Sequence, residues 1–409
     1  MKPEPVRVIN IVTSSLTVRF LEGQPEYFER KGFEVTVVSS PGEELSKARR
    51  DGVRTVTVPM AREISPWKDL ISLWRLWRAI SHLRPTITNV ATPKAGLLGG
   101  IAAWVCRIPC RYYTVLGLRC ETTTGLKRQL LLLTERIACL CAHRVVCVSE
   151  SLRQKAIEFG IVEAGRTVVL AAGSYAGVDP KRFGSGVEVS RRAGHLRREL
   201  GISRGAPVVG FVGRLTRDKG ISELVEAYLE LRKRLPELRL LLVGDMEEGD
   251  PLPSEIRRYV KTEPRIIRTG FVQDPAAYYH LMDVLAFPSH REGFGNVPLE
   301  ANAAGKPVVA ARSTGVVDSV IDGVTGILVP ARDARALAAA LQLVLEDQIL
   351  AATLGSAGRE RVLREFQQER VWDAITQEYL QLIRAKGLFI PSANPDAVPT
   401  VVASGPVAF

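Results

Sequence analysis

The chain has 409 residues, 46% of them hydrophobic, and a formal net charge of +11. That length predicts two or three domains, and no apolar run approaches the roughly 18 residues that a membrane-spanning helix needs. The charge is uneven: residues 1–195 carry 29 Lys and Arg against 17 Asp and Glu, while the rest carry 26 against 27.

Residues 6–13 are apolar and β-branched and predict a first strand. The polar Thr13-Ser14-Ser15 follows it, and a helix is expected over 16–31, ended by Gly32. Residues 33–39 and 53–58 predict the next strands, which sets a βαβ rhythm and a parallel sheet. The glycine-rich GxGxxG pattern does not follow the first strand, so a nicotinamide or flavin site is not expected there.

Ser65-Pro66 opens a helix carrying Trp67, Leu70, Ile71, Trp74, Trp77 and Ile80 among Lys68, Arg75, Arg78 and Arg84. The i, i+3, i+4 spacing of its apolar residues predicts packing on the sheet. A basic amphipathic helix lying on a membrane is the second reading. A strand over 86–90 then runs into Thr92-Pro93-Lys94-Ala95-Gly96 and an apolar helix, which places Lys94 at a strand's carboxyl end.

Residues 111–115 predict a strand closed by Leu116-Gly117; a helix is expected over 127–142 and a strand over 144–148, with Ser149 capping a further helix. The six cysteines lie between Cys106 and Cys147 without a C-x-x-C pair, and are read as buried thiols rather than disulfides or metal ligands. Residues 184–195 are polar and basic and read as a linker.

The second half repeats the rhythm. Residues 208–212 form a strong strand that ends in Gly213-Arg214-Leu215-Thr216-Arg217-Asp218-Lys219-Gly220, before a helix over 221–235. Arg214 and Lys219 thus stand where a diphosphate would meet a helix N-terminus. A second strand–glycine–helix unit lies at Phe287 to Val309, FPSHREGFGNVPLEANAAGKPVV. Its glycines allow the backbone to approach a ligand. Glu292 and Glu300 bracket the turn, and carboxylates accept hydrogen bonds from sugar hydroxyls. Phosphate and several hydroxyls on one ligand would satisfy both features; a solvated surface loop is the plain alternative. Helices are expected over 333–346, 350–366 and 369–386, and a disordered tail after Gly387.

These residues resemble the family 4 retaining glycosyltransferases. Glu292-Gly293-Phe294-Gly295-Asn296 with Glu300 is similar to the family's E-x7-E motif, and Gly213-Arg214-Leu215 with Lys219-Gly220 to its diphosphate-binding turn. Thr92-Pro93-Lys94-Ala95-Gly96, Glu135-Arg136, Val148-Ser149-Glu150, Gly177-Val178-Asp179 and Val243-Gly244-Asp245 look most like the bacterial subgroup that extends surface glycans on polyprenyl diphosphate carriers.

The resemblance implies an α/β GT-B fold. Two Rossmann-like doubly wound domains would face each other across a cleft, with a C-terminal helix crossing back to the first. The expected boundaries are 1–190 for an acceptor-binding domain, 191–370 for a nucleotide-sugar-binding domain, 371–387 for the crossing helix and 388–409 for the tail. The implied reaction moves a hexose or N-acetylhexosamine, with retention, from a nucleotide diphosphate sugar, UDP-linked in the leading reading. The acceptor would be a polyprenyl-diphosphate-linked or other surface glycan.

Carried over, Gly213, Arg214 and Lys219 would hold the donor diphosphate and Glu300 the ribose. Glu292, the catalytic candidate, would contact the sugar ring. The backbone of Phe294, Gly295 and Asn296 would contact sugar and phosphate. Ser14, Lys94 and Leu116 are the acceptor-side candidates. Neither metal nor cofactor is expected, since the cations neutralise the leaving group.

One departure stands out: Leu116 occupies the place where the family commonly has His. It opens two other readings, a nucleotide-sugar epimerase of the same fold and a non-catalytic nucleotide-sugar-binding relative. The N-terminus lacks a signal-peptide pattern, so a cytoplasmic protein is expected, peripheral on the inner face of the cytoplasmic membrane. Its basic half calls for an anionic membrane surface or phosphorylated lipid, and no nucleic-acid partner is expected.

Overall fold

The computed structural model describes residues 5–388 apart from Arg62 and Glu248, so the expected tail lies almost wholly outside the described residues. Two parallel sheets dominate. The first contains β1 (Val6–Ile11), β2 (Phe33–Ser39), β3 (Arg54–Thr57), β4 (Ile87–Ala91), β5 (Cys110–Val115), β6 (Arg144–Cys147) and β7 (Thr167–Val168), in the order β3-β2-β1-β4-β5-β6-β7. The second contains β8 (Val208–Val212), β9 (Arg239–Val243), β10 (Ile266–Arg268), β11 (Val284–Phe287), β12 (Val308–Arg312) and β13 (Ile327–Pro330), in the order β10-β9-β8-β11-β12-β13. The central strands are buried along their whole length, as expected where helices cover both faces.

Strand order in each sheet reverses at one place: between β1 and β4 in the first, and between β8 and β11 in the second. Loops leaving such a switch point diverge to opposite faces and open a crevice at the strands' carboxyl ends. Topology alone therefore brings the segments after β8 and β11 together, although about seventy residues separate them in sequence.

The last helix, Gln368–Ala385, belongs to the first sheet by packing. Trp372 meets Tyr27 at 5.3 Å between ring centroids, and Tyr379 meets Tyr112 at 4.9 Å and Phe28 at 6.0 Å. Tyr112 donates its hydroxyl to the Glu378 carbonyl at 2.8 Å, and the Glu378 side chain accepts from Arg144 at 3.0 Å.

Three local expectations need correction. The segment 184–195 is no linker: Val187–Glu199 is a helix, and Val189, Ala193, Leu196 and Leu200 give it a narrow apolar stripe at helical spacing. The single helix expected over 16–31 is two pieces, Ser15–Leu21 and Gln24–Arg30, broken where Gly23 adopts φ 78° and Pro25 starts the second. On Pro66–Leu83 the tryptophans do not pack on the sheet. Ser72, Leu76 and Ile80 do, and Trp67, Trp74 and Trp77 face outward. The helix Glu43–Arg50 adds to what the sequence suggested.

All six cysteines are free thiols, five of them buried. Beside them Glu135 is buried under Tyr113, whose hydroxyl donates to it at 2.6 Å. Burial pushes the Glu135 carboxyl up to about 7, against the opposing pull of that hydrogen bond. Its folded pKa therefore lies above its unfolded one, so stability is full below the unfolded value and falls as pH rises to about 7. Glu135→Gln, which fixes the neutral form, is expected to raise Tm over the parent at pH 8, by roughly 2–3 kcal/mol of stability, and hardly at pH 4. Melting curves at the two pH values check this; an equal effect at both would show that no proton is involved. Among the described residues, no single helix is long and apolar enough to cross a membrane.

Candidate active site

The site grows from the ends of β8 and β11. After β8 the chain turns through Gly213, Arg214 and the short turn Arg217–Lys219 into the helix Ile221–Leu231. Gly220 joins them at φ 70°, and a methyl group there would lie 2.2 Å from the Pro288 carbonyl. Only glycine lets the two loops touch. After β11, residues 288–295 form the loop and Asn296 begins the helix Asn296–Ala303. Two helix starts with free N–H groups thus face one space.

Lys219 crosses from one loop to the other, its Nζ 2.5 Å from Glu292 Oε1, and both side chains are only 16% exposed. Arg214 stands nearby, ion-paired with Glu247 and half exposed. Glu300 lies one helix turn beyond the loop. Burial pushes its carboxyl above the usual range, while the Tyr279 hydroxyl, donating to Oε2 at 2.5 Å, pulls it down. Asp218 is held below the usual carboxylate range: burial opposes this, but the Thr216 hydroxyl at 2.6 Å, Lys219 and Arg291 outweigh it.

The first domain completes the site through contacts that sequence reading missed. Ser149 Oγ donates to the Gly293 carbonyl at 2.6 Å, and Ser174 Oγ to Asn296 Oδ1 at 2.9 Å. Arg291 spans both domains, with Nε 2.9 Å from Thr122 Oγ1 and Nη2 3.2 Å from Asp218. Ser151 donates its hydroxyl to Asp318, which also accepts from the Glu150 N–H at 3.1 Å, and Ser151 Oγ accepts from the Gly315 N–H at 2.7 Å. Within the second domain, His290 engages Glu223 at 2.8 Å. The only signal in the sequence was the neighbourhood of Glu292, because each partner is over sixty residues away.

The candidates fall into three groups. Gly213, Arg214, Lys219, Glu292, Gly295, Asn296 and Glu300 gather around the β8–β11 switch point. The Phe294 side chain turns away and packs on Phe366 at 5.3 Å, leaving its backbone in the loop. Leu116 joins them across the cleft: a methyl group on Gly293 would lie 2.2 Å from its carbonyl oxygen. Ser14 lines a separate cavity of about 330 Å³ with Thr13, Ser40 and Gly42, closed by Phe271 from the second domain. Lys94 is committed inside the first domain, its Nζ 2.7 Å from Asp69 Oδ1 and bonded to the Glu63 carbonyl.

A family model described as "Glycosyl transferases group 1" covers residues 194–361, and one described as "Glycosyl transferase 4-like domain" covers 18–173. The capsular polysaccharide biosynthesis glycosyltransferase CapM of Staphylococcus aureus is 34% identical over 373 residues, 91% of this chain and 96% of its own. The chain belongs to the group 1 glycosyltransferases.

The UDP-Gal:alpha-D-GlcNAc-diphosphoundecaprenol alpha-1,3-galactosyltransferase of Escherichia coli is 26% identical, over 88% of this glycosyltransferase and 92% of its own length. Among solved structures, Anabaena HepE in complex with UDP-glucose superposes with a TM-score of 0.76 at 22% identity, covering 92% of this chain and 99% of its own. WaaG, a glycosyltransferase involved in lipopolysaccharide biosynthesis, superposes with a TM-score of 0.70 at 14% identity, covering 91% and 99%. The fold of this glycosyltransferase is GT-B: two Rossmann-like domains, with the last helix returned to the first.

Proposed function

We propose that this glycosyltransferase moves a hexose or N-acetylhexosamine from a UDP-sugar to a polyprenyl-diphosphate-linked acceptor in surface-glycan synthesis. We further propose that it does so with retention, without a metal ion, at the inner face of the cytoplasmic membrane. One observation carries the reading: the Lys219–Glu292 pair, sheltered at the meeting of two helix starts. The relatives supply the substrate classes: a capsular enzyme, a diphosphoundecaprenol-linked acceptor and a UDP-glucose complex.

In this reading the donor diphosphate takes Lys219 and Arg214. Their charge, together with the free N–H groups, offsets what builds on the leaving phosphate as the bond from C1 to the phosphate oxygen breaks. Two cations in place make a metal ion unnecessary for that step. Glu292, released from Lys219, accepts from sugar hydroxyls, and Glu300 accepts from the ribose. The acceptor oxygen bonds to C1 on the face that the phosphate leaves. Its proton passes to the departing phosphate oxygen, so no protein nucleophile is required.

The test is transfer from UDP-glucose, UDP-galactose and UDP-N-acetylglucosamine to a synthetic undecaprenyl-diphosphate-linked sugar, with NMR of the product. An α-linked product whose yield is unchanged by EDTA is expected. An inverted product, or one abolished by EDTA, would end the retaining, metal-free reading. A changed sugar still joined to UDP would mark an epimerase.

A further inference from the structure

The helix Pro66–Leu83 is apolar on two sides. Leu76 and Ile80 are buried on the first sheet, yet on the opposite face Trp67 is 81% exposed, Trp74 53% and Trp77 44%, flanked by exposed Leu70 and Ile71. At about 100° per residue these outward residues form one stripe centred opposite Leu76. The neighbouring helix Pro93–Val105 continues the surface with Trp104, which is 57% exposed. Cys106, at its end, lies 3.8 Å from the Trp77 carbonyl, which joins the two stripes. On its other side packs the helix Gly125–Cys141, with Leu126, Leu130, Leu133 and Leu140 exposed at helical spacing. Single exposed apolar residues are ordinary. Two helices with outward apolar stripes, bridged by Trp104 and Val105 at the end of the helix between them, form a patch that marks an interaction surface.

The charge on this face has one sign. Lys68, Arg75, Arg78, Arg107 and Lys127 are exposed on or beside the three helices. The only carboxylates within the three helices, Asp69 and Glu135, turn inward to Lys94 and Tyr113, and the exposed Glu63 just before the first helix lies 3.7 Å from Arg119. Beyond Trp104 the face ends at a cavity of about 580 Å³, where Arg107, Arg111 and Lys386 gather around His143. Burial, with the Arg111, Lys386 and Arg166 cations, holds His143 down at about 4, so at neutral pH its ring stays uncharged among them. A second copy of the chain would set cations against cations, with no outward carboxylate on the three helices to offset them. An anionic bilayer supplies what the face lacks, negative headgroups above an acyl layer.

We propose that this face docks on an anionic lipid bilayer. Trp67, Trp74, Trp77 and Trp104 sit at headgroup depth, and Arg107, Arg111 and Lys386 receive lipid phosphate. The proposal refines the membrane part of the reading above. It stands on residues away from the sugar-nucleotide site, so vesicle binding and transfer can fail separately.

The test is flotation of the full chain with phosphatidylglycerol-containing vesicles and with phosphatidylcholine vesicles. The parent is expected to float with the first only, and less at high salt. W74E/W77E and, independently, R107E/K386E are expected to lose at least tenfold in vesicle affinity. Both should keep the parental melting temperature and UDP-glucose binding, because the tryptophans are exposed and the cations line an open cavity. The proposal is overturned by a parent that stays with the soluble fraction, by variants that float like the parent, or by a parental dimer that W74E/W77E splits into monomers.

Discussion

Lys219→Ala is expected to lower kcat/KM by about 10²–10³-fold, or roughly 3–4 kcal/mol of lost transition-state stabilisation. The lysine is no loose surface cation. Its side chain is only 16% exposed, and its turn is fixed by Gly220 against the Pro288 carbonyl. In the proposed reaction the charge is thus set in place before a donor diphosphate would arrive, which is what makes such a group effective when a leaving phosphate gains charge. Because its partner is Glu292, the single change also strands a carboxylate. The double variant K219A/E292Q separates the two effects: if stranding dominated, the double would recover much of the single's loss. Steady-state kinetics with donor affinity by calorimetry decide the matter, and an unchanged kcat/KM would remove Lys219 from the site.

Gly293→Ala is expected to spare donor affinity and still slow transfer about a hundredfold, the penalty for displacing reacting groups by about 1 Å. The residue does not need a left-handed backbone, so alanine is tolerated locally. The obstacle is steric. The new methyl group would lie 2.2 Å from the Leu116 carbonyl oxygen, against the 3.4–4 Å of ordinary contact, and 3.1 Å from Val148. Both neighbours belong to the first domain, whereas Arg214, Lys219 and Glu300 all sit on the second. Donor binding is therefore retained while the two domains are wedged apart. Calorimetry with UDP-glucose beside the transfer rate tests this split, and a parallel loss of both would show that the loop itself had collapsed.

The proposed donor side of this site was legible because each of its residues lies within a few positions of a strand end, where glycines and a following helix announce a ligand loop. The βαβ alternation also revealed both sheets. What stayed hidden was partnership at long range. Nothing near Glu300 points to Tyr279, and nothing near Asn296 points to Ser174. The helix Val187–Glu199 was disguised by its charge, since four small apolar contacts suffice where a helix only borders the core. The tryptophans of Pro66–Leu83 misled in the opposite sense. Periodicity reports that apolar residues share a face, and not whether that face looks inward.

The returned helix Gln368–Ala385 has a bearing on inheritance. It is encoded after the second sheet, yet Trp372 and Tyr379 complete the aromatic cluster of Tyr27, Phe28 and Tyr112 beneath the first. The two halves are consequently not interchangeable cassettes. A chimera that grafts another enzyme's second half must stop short of residue 368 and resume with this helix, or the recipient half loses part of its own interior. Recombination among such genes would meet the same rule: the exchangeable unit is an internal block, with both ends of the chain kept together.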